Sequence, residues 1–291
     1  MILHQLKDHP MPEDYELVFF GDNQEGNIAS ATDKFKECIQ YIIAKPTRFG
    51  ILMGDLIDAF WVDDKRYDPD TTTKTPIKQA NVVIELLKPL AAVNRLLIIL
   101  LGNHEAALIN KAGNLTEEHI CPQLREASKT VYPVYGTYSS VLTFYGDNGK
   151  QQFKVYITHG RKSITSISPD PHRKRANMQY RLKLLLSSMA GDCICMVRGH
   201  SHIVLTTPPI PELYLVSDDK KIKQGYTKTT QPGGYIHPDS RWYGCSGSFL
   251  KSQVLGVNTY SELAEYSPVE LGYLIGEVKG GEFVNLREVK I

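Results

Sequence analysis

Five short apolar segments of this sequence each end in a cluster of polar residues. The segments are residues 16–20, 50–53, 95–101, 153–158 and 193–198. Each is rich in Val, Ile, Leu or Phe, and such nearly continuous hydrophobicity is typical of strands that are covered on both faces. Segments with apolar residues at helical spacing lie between or beside them, at residues 30–44, 77–92, 116–127 and 177–189. This alternation predicts an α/β core.

After Pro208 the pattern changes to consecutive strand and turn signals. Strands are predicted at residues 214–216, 222–229, 242–250, 273–278 and 283–289. We expect these strands to complete the first sheet or to build a second one. The polar, proline-bounded residues 63–76 predict a surface loop. No segment resembles a linker, so we expect a single domain over residues 1–291, with the polar clusters in residues 21–202 and a β-rich completion in residues 208–291.

The bulk composition excludes several classes of protein. The 291 residues are 42% hydrophobic, which is enough to bury a sizeable core, and the net charge of +1 gives no global attraction to nucleic acid or anionic membranes. No apolar run approaches the roughly 20 residues that span a membrane, and the N-terminus does not resemble a signal peptide. The five cysteines form no CxxC pair, which argues against a disulfide framework. We therefore expect a cytoplasmic protein without membrane association.

The polar clusters are expected to converge, because ligands bind beyond the carboxyl ends of strands in open α/β sheets. The clusters are Gly21-Asp22-Asn23-Gln24, Gly54-Asp55-Leu56-Ile57-Asp58, Gly102-Asn103-His104-Glu105, His159-Gly160 and Gly199-His200-Ser201-His202. Glycine beside each polar residue lets the chain turn sharply. Taken singly, each Asp or Asn is explained as a turn former and each His as a structural side chain. Taken together, carboxylates and imidazoles indicate a site for divalent metal ions.

This ordered set resembles the calcineurin-like metallophosphoesterase superfamily, whose blocks read D-x-H, G-D-x-x-D, G-N-H-[ED], a lone His, and G-H-x-H. The last four blocks match fully, and the wider sequence resembles uncharacterised phage and bacterial members. The resemblance implies two mixed β-sheets packed as a sandwich and flanked by helices, in four αββα layers. It also implies a dinuclear metal site at one edge.

The resemblance implies a role for each matching residue. One metal ion would be held by Asp22, Asp55, His202 and the residue at position 24, and the second by Asp55, Asn103, His159 and His200. His104 would act on the leaving oxygen of the ester, and Asp58 would orient its imidazole. A metal-activated hydroxide would attack the phosphorus in line.

The first block departs from the family pattern, because Gln24 stands where histidine is usual. Three outcomes are open. The amide oxygen of Gln24 ligates and favours Mn or Mg, or it does not ligate and the first site is weaker, or the protein is a non-catalytic scaffold. We favour ligation, and manganese over Fe, Zn, Mg or Ni. Ala59 and Leu101 stand where the related protein serine/threonine phosphatases carry arginine, which argues against a phosphoprotein substrate.

Two further segments suggest substrate contacts. Arg161 and Lys162 directly follow the His159 block, and residues 161–183 contain seven Lys or Arg against one acidic residue. A basic segment beside a phosphoesterase site suits a polyanion such as DNA or RNA, although a solvated helix face explains it as well. His237 and Arg241 lie in an aromatic-rich segment that lines the site or packs elsewhere.

These observations favour a phosphoesterase, with phosphodiesters of nucleic acid or nucleotides as the expected substrates. The alternatives are a phosphomonoesterase acting on a small metabolite or a nucleic-acid end, and a binding scaffold with a degenerate first metal site. The sequence does not predict an oligomeric state.

Overall fold

The computed structural model of the chain describes residues 1–64, 67–218, 221–227 and 234–291. Its strands are, in chain order, β1 (Ile2–Gln5), β2 (Tyr15–Phe20), β3 (Arg48–Leu52), β4 (Leu96–Ile99), β5 (Val134–Tyr135), β6 (Ser139–Tyr145), β7 (Gln151–Thr158), β8 (Cys195–Arg198), β9 (Val204–Thr207), β10 (Leu213–Asp218), β11 (Lys221–Tyr226), β12 (Trp242–Ser246), β13 (Gly272–Lys279) and β14 (Glu282–Lys290). Its helices are α1 (Thr32–Ile43), α2 (Pro76–Ala92), α3 (Asn103–Ala112), α4 (Cys121–Ser128), α5 (Pro171–Leu186) and α6 (Tyr260–Leu263).

The strands build two mixed six-stranded sheets and a separate hairpin of β10 and β11. The first sheet has the order β14-β13-β2-β3-β4-β5, in which β2 to β5 are parallel, β13 is antiparallel to β2 and β14 is antiparallel to β13. The second sheet has the order β1-β6-β7-β8-β12-β9. In its centre β7, β8 and β12 are parallel.

The two sheets pack face to face around a common apolar core. Leu17 and Ile51 of the first sheet share a buried cluster with Leu142 and Val155 of the second. On the outer face of the first sheet, α1 and α2 bury their apolar stripes against β2 and β3. On the outer face of the second sheet, Leu182 of α5 packs in the cluster that contains the β8 and β12 side chains. The layers therefore run helix, sheet, sheet, helix, which confirms the expected fold class.

Several element boundaries differ from those predicted from the sequence. Helix α5 begins at Pro171, six residues before the predicted start, because Asp170 caps it: its carboxylate accepts the Arg173 main-chain N–H. A π-helical turn over Thr116–Ile120 precedes α4, where one helix was predicted. Strand β12 ends at Ser246, since the following Gly247 turns away with φ of 75°.

Other expectations concern the C-terminal half and the cysteines. Residues 228–229 of the predicted strand 222–229 lie outside the described residues. All five cysteines are buried free thiols. Within the described ranges, no helix has the length and apolar character needed to cross a membrane.

Candidate active site

The loops that follow β2 and β3 are joined by main-chain hydrogen bonds. The Asp22 N–H donates to the Gly54 carbonyl at 2.9 Å, and the Gln24 N–H donates to the Asp55 carbonyl at 3.0 Å. Because β2 and β3 are parallel neighbours, both loops leave the same edge of the sheet. Two of the predicted clusters thus form one rigid unit.

Asp55 lies at the centre of the site and is 1% exposed. Its Oδ2 is 3.2 Å from His159 Nε2, and its Oδ1 accepts the His104 main-chain N–H at 2.9 Å. Asn103 Oδ1 is 3.0 Å from the same His159 nitrogen. One ligand atom each from Asp55, His159 and His200 lies within 4.8 Å of the others. The ends of β3, β4, β7 and β8 therefore meet at this carboxylate.

Asp22 makes a second carboxylate–imidazole pair. Its Oδ1 is 3.3 Å from His202 Nε2, and its Oδ2 accepts the His200 main-chain N–H at 3.2 Å. The Asp22 side chain is fully buried, and its Oδ1 has no hydrogen-bond partner. A buried carboxylate oxygen without a donor is costly unless a cation faces it.

Five of the predicted ligands have left-handed backbone conformations. The φ angles are 51° for Asp22, 46° for Gln24, 49° for Asp55, 69° for His200 and 50° for His202. Such a conformation costs about 1–3 kcal/mol for a non-glycine residue and persists only where the surroundings enforce it. The sequence suggested that the neighbouring glycines make the turns, but the ligands themselves also adopt them.

One neighbouring glycine is nevertheless required. At Gly54, with φ of 91°, a Cβ would lie 2.8 Å from the Gly102 nitrogen and 2.9 Å from His159 Nδ1. The backbone of this turn fills the space under the histidine, so a side chain there would displace it.

His104 is held by its neighbours. Its Nδ1 is 2.7 Å from the main-chain carbonyl of Asp58. The Asp58 carboxylate accepts hydrogen bonds from Asn27 Nδ2 and Thr72 Oγ1. Asp58 thus contacts the imidazole through its main chain, and the orienting role of its carboxylate stays a prediction. The ring of Phe60 also lies against His104, with centroids 5.1 Å apart.

The ionisable groups of the site shift one another strongly. Burial disfavours the ionised form of Asp55, but the imidazoles of His159 and His104 hold its pKa below the usual range. Burial also opposes a charged His159, yet the Asp55 carboxylate raises the pKa of His159 to about 10. Burial and the nearby His159 lower the pKa of His200 to about 4. The site thus favours one positive charge beside Asp55, on His159, and disfavours protonation of His200.

The donor set fits divalent metal ions. His159 Nδ1 contacts the Met53 carbonyl at 2.8 Å, which fixes the ring and directs Nε2 toward Asp55. The site offers carboxylate, amide and imidazole donors, and Asp22 Oδ1 has no hydrogen-bond donor. A cation at Asp55 would replace the proton that His159 otherwise carries there.

Gln24 occupies the expected place in the first loop and is 5% exposed. Its main chain is tied to Asp55 through its N–H and to the Asn27 N–H through its carbonyl. This position beside Asp55 is compatible with ligation by the amide oxygen, which stays a prediction.

Arg161 and Lys162 are exposed on the turn that follows His159. This turn rests on Arg198, a buried residue at the end of β8 whose Nη2 donates to the Lys162 carbonyl. The Arg198 Nε is buried without a hydrogen-bond partner. No sequence signal marked Arg198, because an arginine at the end of an apolar strand is usually exposed.

His237 and Arg241 are not brought to the site, which corrects the expectation that they contact substrate. Arg241 is fully buried, and its guanidinium donates to the carbonyls of Ile236 and Ser187. It precedes β12, which runs parallel to β8 with Cys245 paired to Arg198. Arg241 therefore lies at the amino end of the sheet, opposite the site, as does the nearby exposed His237.

Two supporting residues were missed. Glu105 is 2% exposed, and its Oε1 accepts the main-chain N–H groups of Leu56 and Ile57. Burial and the Asp55 charge raise the pKa of Glu105 to about 7. Ser248 Oγ donates to the Asp22 carbonyl at 3.0 Å. Glu105 stands next to Asn103 and His104 in the third cluster, and that position was the signal for it. No sequence signal linked Ser248 to Asp22.

Comparisons with known proteins agree with this site. A family model described as calcineurin-like phosphoesterase matches residues 15–223. The chain aligns with a conserved uncharacterized protein of Streptococcus pneumoniae TIGR4, described as a predicted phosphoesterase, at 11% identity, with 96% of this chain and 98% of that chain covered and a TM-score of 0.31. It also aligns with NAD nucleotidase of Haemophilus influenzae at 12% identity, with 95% and 50% covered and a TM-score of 0.38.

No curated protein sequence matches the chain. The two structural likenesses are too remote to carry an argument about activity. The family match covers most of the chain and spans all five polar clusters. The chain therefore belongs to the calcineurin-like phosphoesterase family and is a metal-dependent hydrolase of phosphate esters.

Proposed function

We propose that this protein is a dinuclear phosphodiesterase that acts on nucleic acid or nucleotides. The observation that carries the proposal is the presence of two separate carboxylate–imidazole pairs in one site. Asp55 faces His159 at 3.2 Å, and Asp22 faces His202 at 3.3 Å. Each pair offers a carboxylate oxygen and an imidazole nitrogen, and both kinds of atom bind divalent transition-metal ions.

The proposed ligand sets follow from these pairs. Asp55, Asn103, His159 and His200 would hold one ion, and Asp22, Gln24, Asp55 and His202 the other. Bound divalent ions polarise phosphoryl oxygens and lower the pKa of a coordinated water. The mixture of oxygen and nitrogen donors suits Mn, with Fe, Zn, Mg and Ni as alternatives.

His104 is the proposed group that acts on the ester oxygen. Its Nδ1 faces the Asp58 carbonyl, which only accepts hydrogen bonds, so Nδ1 carries a proton. The other ring nitrogen, Nε2, is 3.9 Å from Asp55 Oδ2. A protonated Nε2 donates its proton to the leaving oxygen.

The charges near the site support a polyanionic substrate. Arg161, Lys162, Arg173 and Lys174 are exposed and have no ion-pair partner among the described residues. By contrast, Arg175 is paired with Glu288 and Lys183 with Asp239. Unpaired cations on the segment that leaves the site favour a substrate with several phosphates over a small monoester.

The test is hydrolysis of bis-p-nitrophenyl phosphate and of single- and double-stranded DNA with added manganese. We expect metal-dependent cleavage that falls by about 100-fold or more in His104→Ala. His119→Ala, which removes a histidine that bonds Asn81 outside the site, is the matched control and should retain activity. Absence of metal-dependent hydrolysis would refute the proposal.

Two other results would select the alternatives. Cleavage of p-nitrophenyl phosphate with none of the diester would identify a phosphomonoesterase. A folded protein that binds no manganese at millimolar concentration would be a binding scaffold.

A further inference from the structure

Two consecutive aromatic residues follow the Asp55 cluster, and the first of them contacts His104. Phe60 is half-buried, and its ring lies against the His104 ring at 5.1 Å with an interplanar angle of 31°. Trp61 follows and is 41% exposed. The predicted metal ligands and His104 are polar or charged, so the Phe60 ring adds an apolar surface next to them.

The loop that carries the two rings is fixed at its start. The Asp58 N–H donates to the Glu25 carbonyl at 3.0 Å, and the Ala59 N–H donates to Gln79 Oε1 at 2.9 Å. Ala59 has a left-handed backbone with φ of 61°. This strained turn brings the chain back over α3, so that Phe60 meets His104.

The loop is also fixed after the two rings. Asp63 forms an ion pair with Lys111 in the last turn of α3. The loop thus contacts α3 near both ends of the helix, with Phe60 on His104 and Asp63 on Lys111. Trp61 lies in the chain between these two contacts and directly follows the residue that meets His104. Its side chain is 41% exposed, so much of the indole is open to solvent.

We propose that Phe60 and Trp61 form a stacking subsite for a nucleobase attached to the ester on the side of His104. The occupant is a planar ring because an indole beside a phosphate-ester site offers a flat face and no charge. Base–aromatic stacking is tolerant of sequence, since every base presents a π-face. The subsite therefore selects nucleosides over aliphatic alcohols without selecting one base. This inference rests on the proposed phosphodiesterase activity.

The experiment compares a thymidine dinucleotide with the two analogues in which one nucleoside is abasic. The three substrates share the phosphodiester and the alcohol chemistry and differ in the presence of a base. With the wild-type chain and manganese, we expect kcat/KM to fall about tenfold when the base is removed from one particular side. In Trp61→Ala this preference should vanish, because the substrate with the base and its abasic analogue are then cleaved with similar kcat/KM.

Controls separate stacking from other effects. Tyr214→Ala removes an aromatic ring of similar exposure on β10 and should keep the base preference. Phe60→Leu should lose the base preference and also lower kcat on all three substrates, because it leaves His104 less well positioned. Phe60→Tyr should restore both. A wild-type chain that cleaves all three substrates equally, or a Trp61→Ala variant that keeps the preference, would overturn the inference. A chain that cleaves none of them overturns the proposed phosphodiesterase instead.

Discussion

The left-handed backbone conformations of the predicted ligands explain how their side chains are kept in place before any ion binds. Asp22, Asp55 and His200 have left-handed φ angles and are each fixed by a hydrogen bond between a main-chain N–H and a neighbouring loop or carboxylate. The loops that carry these residues follow buried strands of the two sheets, so the packed sheets offset the cost of the strained conformations. We infer that the donors are preorganised, so that ion binding requires little reordering of the chain.

The proposed first metal site depends most on Gln24. We expect Gln24→His to bind the first manganese ion more tightly, because imidazole is the stronger donor at this position. We expect Gln24→Ala to lower the affinity for that ion about tenfold or more, which is the usual effect of changes around metal ligands. Calorimetric titration with manganese measures both. Equal affinities in the wild type and in Gln24→Ala would mean that Gln24 does not ligate.

Glu105 provides a test of the loop that carries Asp55. Glu105→Ala leaves the N–H groups of Leu56 and Ile57 without an acceptor, whereas Glu105→Gln retains an oxygen for them. We expect the alanine variant to lower the free energy of unfolding in urea by about 2–4 kcal/mol. The glutamine variant should lose about half of that or less. An alanine variant as stable as the wild type would show that these bonds do not support the loop.

At the scale of single residues, the sequence predicted which side chains converge but not how they are held. The ligand types and their positions after strands were sufficient to bring Asp55 and His159 into one site. The contact of His104 Nδ1 with the main-chain carbonyl of Asp58 depends on the path of the loop, which spacing does not encode. The support of Asp22 by Ser248 joins residues more than two hundred positions apart, so no local pattern reports it.

Among the elements, α5 differs from an ordinary surface helix at its amino end. Its first turn contains Arg173 and Lys174 and no acidic residue, although the helix dipole favours negative charge there. Such placement stabilises the helix poorly, although the Asp170 carboxylate caps this end, and the proposed polyanionic substrate would supply further negative charge. The turn of Arg161 and Lys162, anchored by Arg198, continues the same charge toward His159.

Helix α5 gives a prediction about salt dependence. We expect the double variant Arg173→Ala, Lys174→Ala to bind single-stranded DNA more weakly, with the slope of log K against log salt reduced by about 1 to 2. Fluorescence anisotropy over a range of salt concentrations measures the slope. The matched control removes the exposed Lys45 and Lys150, which lie on other parts of the surface, and should leave the slope unchanged. If both pairs have the same effect, α5 is not part of the binding surface.

Several elements or element ends were not predicted because their residues form no apolar pattern of the expected period. Strands β1 and β6 pair with each other in parallel at the edge of the second sheet, and their alternating or mixed composition gives no continuous apolar run. Helix α3 begins at Asn103, inside a block that was interpreted only as a cluster of ligands. The first turns of α5 are polar throughout, so helical periodicity begins later than the helix.

For the whole molecule, the C-terminal segment completes both the sheet and the site. The family model ends at residue 223, yet β13 pairs with β2 and Ser248 bonds Asp22 beyond that point. Without β13, the strand that leads to Asp22 would become an exposed edge. The C-terminal segment therefore supports both the first sheet and the candidate site.

The core between the sheets can be tested at Phe153. This β7 side chain is 2% exposed and contacts Phe144 of its own sheet at 5.0 Å and Phe283 of the other sheet at 5.7 Å, measured between ring centroids. We expect Phe153→Ala to lower the free energy of unfolding by about 3–5 kcal/mol in urea denaturation. Ile222→Ala, at a position 75% exposed on β11, should change it by less than about 0.5 kcal/mol. A small effect at Phe153 would contradict a shared core.

The number of manganese ions bound per chain tests the central claim, a two-metal site in which Asp55 serves both ions. Calorimetric titration, checked by elemental analysis after desalting, should give two ions for the wild type and one for Asp22→Ala, which keeps the complete second set. Asp55→Ala should bind neither ion tightly, while circular dichroism verifies that each variant is folded. A wild-type chain that binds a single ion, or an Asp55→Ala variant that still binds two, would contradict the account.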